Sequence, residues 1–326
     1  MSALFKIVAR MMLGVAMLGI AVLPASAQNY PTRPITLMVP QAPGASSDLL
    51  GRTLGERLQA AWGQPIVIEN RPGAGGNIGA ALVARAAPDG YTIMIGTDAM
   101  LTSNVFLYKN MPYDPVKDFA PVAIAGMNKI CLCVHAALPV KTMPELIAYA
   151  KANPGKLQFG SPGAASPHHL SGELLMQKAG IQIVHVPYRG GGPSANDLVA
   201  GHIGMAFLSL SAAVPLLPTG KIRIVALVEK ERYAAMPEVP TIGETLPGFE
   251  MSSWLGVFAP AKTPAPIVTR LNETITRIFN DPPVKQRLAG LGLVVGSATP
   301  AQLAELIKNG LEVRGALIKA AKIEAQ

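Results

Sequence analysis

Two stretches far apart in the chain share one design, and that repetition limits what the chain can fold into. The first is Val39-Pro40-Gln41-Ala42-Pro43-Gly44-Ala45-Ser46-Ser47-Asp48. The second is Phe159-Gly160-Ser161-Pro162-Gly163-Ala164-Ala165-Ser166-Pro167-His168. Into the first runs Ile35-Thr36-Leu37-Met38-Val39, which reads as a buried strand. Out of it runs a helical pattern, with Leu50, Leu54 and Leu58 on one face. Ser46 or Ser47 is placed to cap that helix, and Asp48 to complement its positive end. A helix N-terminus with unused N–H groups is an anion site. Two such turns predict two lobes, each offering a helix N-terminus to something held between them.

The length of 326 residues and the 50% hydrophobic content allow two domains with large cores. Residues 1–27 read as a secretory signal peptide. Lys6 and Arg10 precede the apolar run from Met11 to Leu23, and Ala25-Ser26-Ala27 makes an A-x-A cleavage site. The run is short for a membrane span, so an exported product is expected, periplasmic in a Gram-negative cell. Losing Lys6 and Arg10 lowers the formal net charge of +8 by two. The remaining mild positive balance favours anionic ligands. With aromatics at 5% and the basic residues scattered, a nucleic-acid surface is not expected. Cys131 and Cys133 are the only cysteines and alternate onto one face of a strand-like run, as small buried residues without a disulfide.

Strands alternate with helices along the chain. Pro65 to Glu69 is a second strand, Asn70-Arg71-Pro72-Gly73-Ala74-Gly75-Gly76-Asn77 a glycine-rich loop, and Tyr91 to Ile95 a third strand ending at Thr97 and Asp98. Ile78 stands where G-x-G-x-x-G needs its last glycine, so no dinucleotide site is expected. Such alternation implies mostly parallel sheets, with ligands beyond the carboxyl ends of the strands. Residues 113–119 read as an irregular connector, and the strand with the cysteines as the start of the second lobe. Thr142-Met143-Pro144-Glu145 and Thr299-Pro300-Ala301-Gln302 are capping boxes opening helices. Val184-His185-Val186 belongs to a strand that delivers Pro187-Tyr188-Arg189-Gly190, and Ser209 and Ser211 follow another strand. Residues 251–258 read as an extended segment returning to the first lobe.

Catalytic patterns are missing. There is no G-x-S-x-G, and His135, His168, His169, His185 and His202 make no metal-ligand spacing. No cofactor or metal is expected. Asp48, Asp98 and Asp197 have the chemistry of general acids or bases, but each also has an ordinary place at a helix start or turn. Hydroxyls and backbone amides dominate the expected cleft, an inventory for reversible binding of a small anion.

The motifs together resemble the Bug (TctC-like) family, the extracytoplasmic receptors of tripartite tricarboxylate transporters. Residues 40–48 look like the family's P-x-x-P-G-G-x-x-D loop. Asn70 to Gly76, Pro88-Asp89-Gly90-Tyr91, Tyr113-Asp114-Pro115 with Asp118-Phe119, and Asn153 to Leu157 also match. So do Gly160 to Leu170, Pro187 to Gly190, and Trp254-Leu255-Gly256 with Ala259-Pro260. The resemblance implies an α/β, two-lobed type II periplasmic-binding-protein (Venus flytrap) fold, each lobe a mostly parallel sheet flanked by helices. Lobe one would hold residues 28–127 and 251–326, and lobe two residues 128–250. It implies a monomeric, non-enzymatic receptor that binds a small carboxylate and hands it to membrane transporter subunits. The alternatives are a partner of a membrane sensor histidine kinase and, more remotely, an exported carboxylate-processing enzyme using Asp48 or Asp98. Carried over by position, the ligand contacts are Gln41, Ala45, Ser46, Ser47, Asp48, Thr97 and Asp98 from lobe one. From lobe two they are Ser161, Ala165, Ser166, His169, Tyr188 and Ser209. Gln41 stands where Phe is common, and Ala45 and Ala165 replace glycines of the pattern.

Overall fold

The computed structural model describes residues 30–326 except positions 165, 189, 252, 291, 292, 297, 321, 322, 324 and 326. The expected signal peptide and Ala165 lie outside the described residues. The chain separates into residues 1–32 and a compact unit of residues 33–326. Of the first, Tyr30 to Thr32 are described, with a cis peptide before Pro31. The fold below is that of the second.

β1 (Ile35–Val39) leads to α1 (Ser46–Trp62), and β2 (Ile66–Asn70) to α2 (Asn77–Ala84). β3 (Thr92–Thr97) and the short α3 (Asp98–Thr102) follow. β4 (Phe119–Asn128) passes through Lys129 alone into β5 (Ile130–His135). Next come α4 (Met143–Ala152), β6 (Gln158–Ser161), α5 (Pro167–Ala179), β7 (Val184–Pro187) and α6 (Gly191–Ala200). β8 (Met205–Ser209), the one-turn α7 (Leu210–Ala213) and β9 (Ile222–Leu227) follow. β10 (Trp254–Pro260), α8 (Ala265–Asn280), α9 (Pro282–Gly290), β11 (Leu293–Val294) and α10 (Pro300–Ala320) complete the order. No helix among the described residues is long and apolar enough to cross a membrane.

The strands form two sheets, ordered β11-β4-β10-β3-β1-β2 and β7-β6-β8-β5-β9. β1 pairs parallel with β2 and β3, so it is buried on both faces and apolar at most of its positions. The predicted stripe of α1 is the packed one: Leu50, Leu54 and Leu58 are fully buried. Gly51 and Gly55 let this helix lie close, since a Cβ at Gly55 would stand 2.9 Å from Ile68 Cδ1. Cys131 and Cys133 are fully buried free thiols with Sγ atoms 3.5 Å apart.

Two expectations need correction. The sheets are mixed rather than mostly parallel. β10 returns antiparallel between β3 and β4, and β5 is antiparallel to both of its neighbours. The cause is chain routing: β4 and β10 each lead between one sheet and the segments of the other, so they run against the βαβ units. The second correction is β4 itself, a ten-residue strand where no strand was expected. Its Pro121, alanines and Gly126 disguise it. Proline fits because the β4–β10 register shifts beside the Phe258–Pro121 pair, where a ladder bond is interrupted. Within the connector before it, the side chain of Asp114 accepts from Val116 N and Lys117 N, and that of Asp118 from Asp114 N.

Backbone pairing continues through the crossing between the sheets. Asn128 N donates to Ser253 O at 2.8 Å, Val228 N to Ile130 O at 3.0 Å, and Ile130 N to the buried carboxylate of Glu229 at 2.9 Å. Burial pushes the Glu229 carboxyl above its ordinary range, against the pull of the Ile130 amide. From α10, Arg314 reaches into this region. It is 4% exposed, pairs with Asp98 Oδ2 at 2.9 Å and donates to Met251 Sδ.

Burial raises the Asp98 carboxyl to about 6, and Arg314 holds it from rising further. A carboxyl raised in the fold is most favourable to stability below its unfolded value of 3.8, and that contribution is lost as pH rises toward about 6. Arg314→Leu removes the compensating cation. It is expected to lower stability by about 3–5 kcal/mol at pH 8, the usual result of stranding one charge of a buried pair. The loss is expected to be smaller at pH 5, where Asp98 takes up a proton. Urea unfolding at the two pH values checks both; an equal loss at both would show that Asp98 does not carry the charge.

Candidate functional site

Both glycine-proline loops leave the carboxyl ends of strands, the first after β1 and the second after β6. The first is organised by one carboxylate. Asp48 is 2% exposed and accepts from Gly44 N at 2.9 Å, Arg52 Nε at 3.0 Å and Asn70 Nδ2 at 3.0 Å. Burial alone would raise its pKa, but these donors, Arg52 foremost, outweigh it and hold the carboxyl below its ordinary value. Asn70 Nδ2 also donates to Gln41 O at 3.0 Å. Asp48 is thus an internal strut with its acceptor sites engaged.

The expected serine cap of α1 is not what forms. The N-cap is Ala45, in extended conformation, and no side chain caps the helix. Ser47 is fully buried and donates its hydroxyl to Gln41 Oε1 at 3.0 Å. Ser46 Oγ lies 3.4 Å from Ser211 Oγ on α7, a residue of the other sheet's half. Both serines fall one or two positions too late, since the hydroxyl that reaches first-turn amides belongs to the N-cap. The amides of Asp48 and Leu49 turn back to Ala45 O, and among the described residues those of Ser46 and Ser47 meet no side-chain acceptor. α1 therefore keeps its donors available, with Gly44 at φ 83° making the turn.

The second loop is closed upon itself. Ser166 is the N-cap of α5, and its Oγ accepts from His169 N at 3.2 Å while donating to Gly163 O at 2.8 Å. Pro167 at the first helical position brings no N–H. Ser161, fully buried at the end of β6, donates to the same Gly163 oxygen at 2.9 Å and lies 2.7 Å from His185 Nε2. His169 bonds Glu173 Oε1 at 3.1 Å and stacks on His185, with centroids 3.7 Å apart at 12°.

The remaining expected contacts are placed as follows. Thr97 caps α3, accepting from Met100 N at 3.4 Å, and Asp98 is turned inward to Arg314. Tyr188 donates its hydroxyl to Asp197 Oδ2 at 2.7 Å, and burial followed by that carboxylate pushes the phenol up to about 12. Ser209 Oγ accepts from Asn128 Nδ2 at 3.0 Å and meets His168 Nε2 at 3.2 Å. His168 is buried, and burial with Arg314 nearby lowers it to about 3. The structure thus brings Ser46 to the second half through Ser211, while Thr97, Asp98, His169 and Tyr188 are engaged inside their own halves.

Sequence reasoning left Asn70, His185, Asn128, His168 and Ser211 out of the expected set. Asn70 and His185 carried a signal. Each lies on the strand paired parallel beside the loop-bearing strand: Asn70 opposite Val39, His185 opposite Phe159. Among the described residues, no three His, Cys, Asp or Glu side chains converge on a metal position. What the two loops offer is backbone N–H and hydroxyl groups at the positive end of a 17-residue helix, which is chemistry for a small anion.

The same architecture recurs in known proteins. Residues 50–323 match the tripartite tricarboxylate transporter family receptor. The chain is 38% identical over 285 residues to a UPF0065 protein of a Pseudomonas species, from the tcbD–tcbE intergenic region, covering 87% of this chain and 84% of that one. An R. palustris protein solved with adipate matches with a TM-score of 0.86 at 36% identity, over 91% of this chain and 100% of that one. MatC of Rhodopseudomonas palustris, solved with bound malate, gives 0.80 at 34% identity, over 89% and 100%. The two-sheet α/β fold is the one these solute-binding proteins share. The chain belongs to the tripartite tricarboxylate transporter family of receptors.

Proposed function

We propose that this receptor is exported to the periplasm, captures a small carboxylate between two lobes and delivers it to a tripartite tricarboxylate-type transporter. The lobes correspond to residues 28–127 with 251–326, and to residues 128–250, each built on one sheet. The carrying observation is the unfilled N-terminus of α1, held open by Asp48 and facing Ser211 of the other half. The adipate and malate of the two similar structures support the ligand class. A carboxylate takes the amides of Ser46 and Ser47 and the Ser46 hydroxyl. Gln41 and Ala45 shape the mouth, and the loop of Ser161, Ala165 and Ser166 closes over the ligand. Hinge rotation about the paired crossing strands brings the halves together. No bond is made or broken; the work is differential affinity for the closed state.

Ligand-stripped protein screened against mono-, di- and tricarboxylates is expected to gain about 2.7 kcal/mol of stability when a ligand is present at a hundred times its dissociation constant. Failure of every carboxylate in thermal-shift and calorimetric titration would overturn the ligand class.

Ala45 separates stability from binding. Ala45→Ser supplies the missing cap and is expected to stabilise the ligand-free protein by about 1 kcal/mol. Ala45→Asp puts a tethered carboxylate at the same amides and is expected to abolish the response to free carboxylates. Undiminished affinity in Ala45→Asp, measured by calorimetry, would place the anion elsewhere.

A further inference from the structure

The second loop hangs on one carbonyl. Gly163 O accepts from Ser161 Oγ at 2.9 Å, from Ser166 Oγ at 2.8 Å and from Ser166 N at 3.3 Å. Gly163 adopts φ 154°, a conformation open to glycine but costly for a residue with a side chain, and these three donors fix its carbonyl in place. Ser166 is secured by the helix it caps. Ser161 is secured by a ring from another strand: His185 Nε2 lies 2.7 Å from its hydroxyl.

Counting protons fixes the direction of that contact. Ser161 has one hydroxyl proton. The 2.9 Å approach to Gly163 O would set two oxygen lone pairs against each other unless the proton lies between them. The hydroxyl proton is therefore spent on Gly163, and His185 must donate through Nε2–H. The ring is braced for this role. His185 pairs in register with Phe159, two residues before Ser161 and on the same face. Phe159 lies against it with centroids 4.9 Å apart, and His169 stacks on it at 3.7 Å. From β6 it faces the uncharged Phe159 and Ser161; from α5 it faces His169, whose own Nε2 is engaged by Glu173. Burial, then His169, lowers His185 to about 3, so the ring is neutral and one nitrogen carries the proton.

We infer that His185 is a positioning residue of the ligand site, which through an Nε2–H···Oγ bond to Ser161 sets the shape of the second loop. It touches no ligand; its effect passes through Ser161 to Gly163. The inference rests on the receptor reading only for its consequence on affinity, and its structural half is tested without ligand.

His185→Phe keeps the flat ring and the stack but deletes the donor. His185→Gln deletes the stack but keeps an N–H donor. Hydrogen exchange of segment 161–166 in ligand-free protein is expected to quicken about tenfold in His185→Phe, the size of one lost hydrogen bond. It is expected to stay near wild type in His185→Gln. Ser161→Ala removes the same bond from the other end together with the Ser161 contacts to Gly163 O and Gly163 N, and is expected to quicken exchange at least as much as His185→Phe, including where the phenylalanine variant folds poorly. Imidazole nitrogen NMR of the wild type is expected to show the Nε2–H tautomer. For adipate or malate, whichever the wild type binds, affinity is expected to fall about tenfold in His185→Phe and recover in His185→Gln. An Nδ1–H tautomer, unchanged exchange in both His185→Phe and Ser161→Ala, or a glutamine variant no better than the phenylalanine one would each overturn the inference. A wild type that binds no carboxylate at all would overturn the receptor reading instead, and the exchange and NMR results would still decide the role of His185.

Discussion

A helix end can hold an external anion only if nothing belonging to the protein fills it first, and the first loop is built around that constraint. Leaving a helix uncapped forgoes about 0.5–2 kcal/mol. The chain accepts that loss at Ala45 and offsets it one turn later, where Asp48 gathers donors from Gly44, Arg52 and Asn70. The carboxylate most able to compete for the α1 amides is tied away from them. Ser47, the next competitor, is turned to Gln41. The open helix end therefore depends on side chains that keep others out of it.

The two loops share a plan and differ in its execution. Each follows a strand whose parallel neighbour lies at the edge of its sheet, and that neighbour supplies the brace: Asn70 from β2, His185 from β7. The arrangement suits parallel pairing, in which both strands end on the same side and a side chain from one overhangs the loop of the other. The first loop is braced with its helix left unfilled; the second is braced with its helix capped by Ser166. An anion held between loops this unequal, as proposed, would have a preferred end.

Much of this was legible in local sequence, because local rules decide it. The Leu50-Leu54-Leu58 stripe, the Thr142 and Thr299 caps and the buried cysteines each follow from a few neighbouring residues. Membership of the receptor family was readable from short motifs in series. What escaped was fixed at a distance. Asp98 looked available at a strand end, yet its partner Arg314 lies 216 positions away. β4 was hidden because proline, alanine and glycine argue against a strand, and only pairing with β10 makes it one. The cap of α1 was misplaced by one or two residues, an error of phase: the helix begins where the chain turns, and Gly44 turns it early enough to leave Ala45 at the cap.

The two thiols have a practical side. Cys131 and Cys133 are the only cysteines in the chain, and neither exposes any surface. A thiol shut in the core reacts slowly with reagents that need the thiolate, and burial raises Cys131 well above its ordinary value. A single cysteine placed on the rim of the cleft would then be the one sulfur a maleimide dye meets. The native protein is already suited to site-selective labelling, and a dye at that rim would test the proposed closure through a change in brightness with the core thiols left in place.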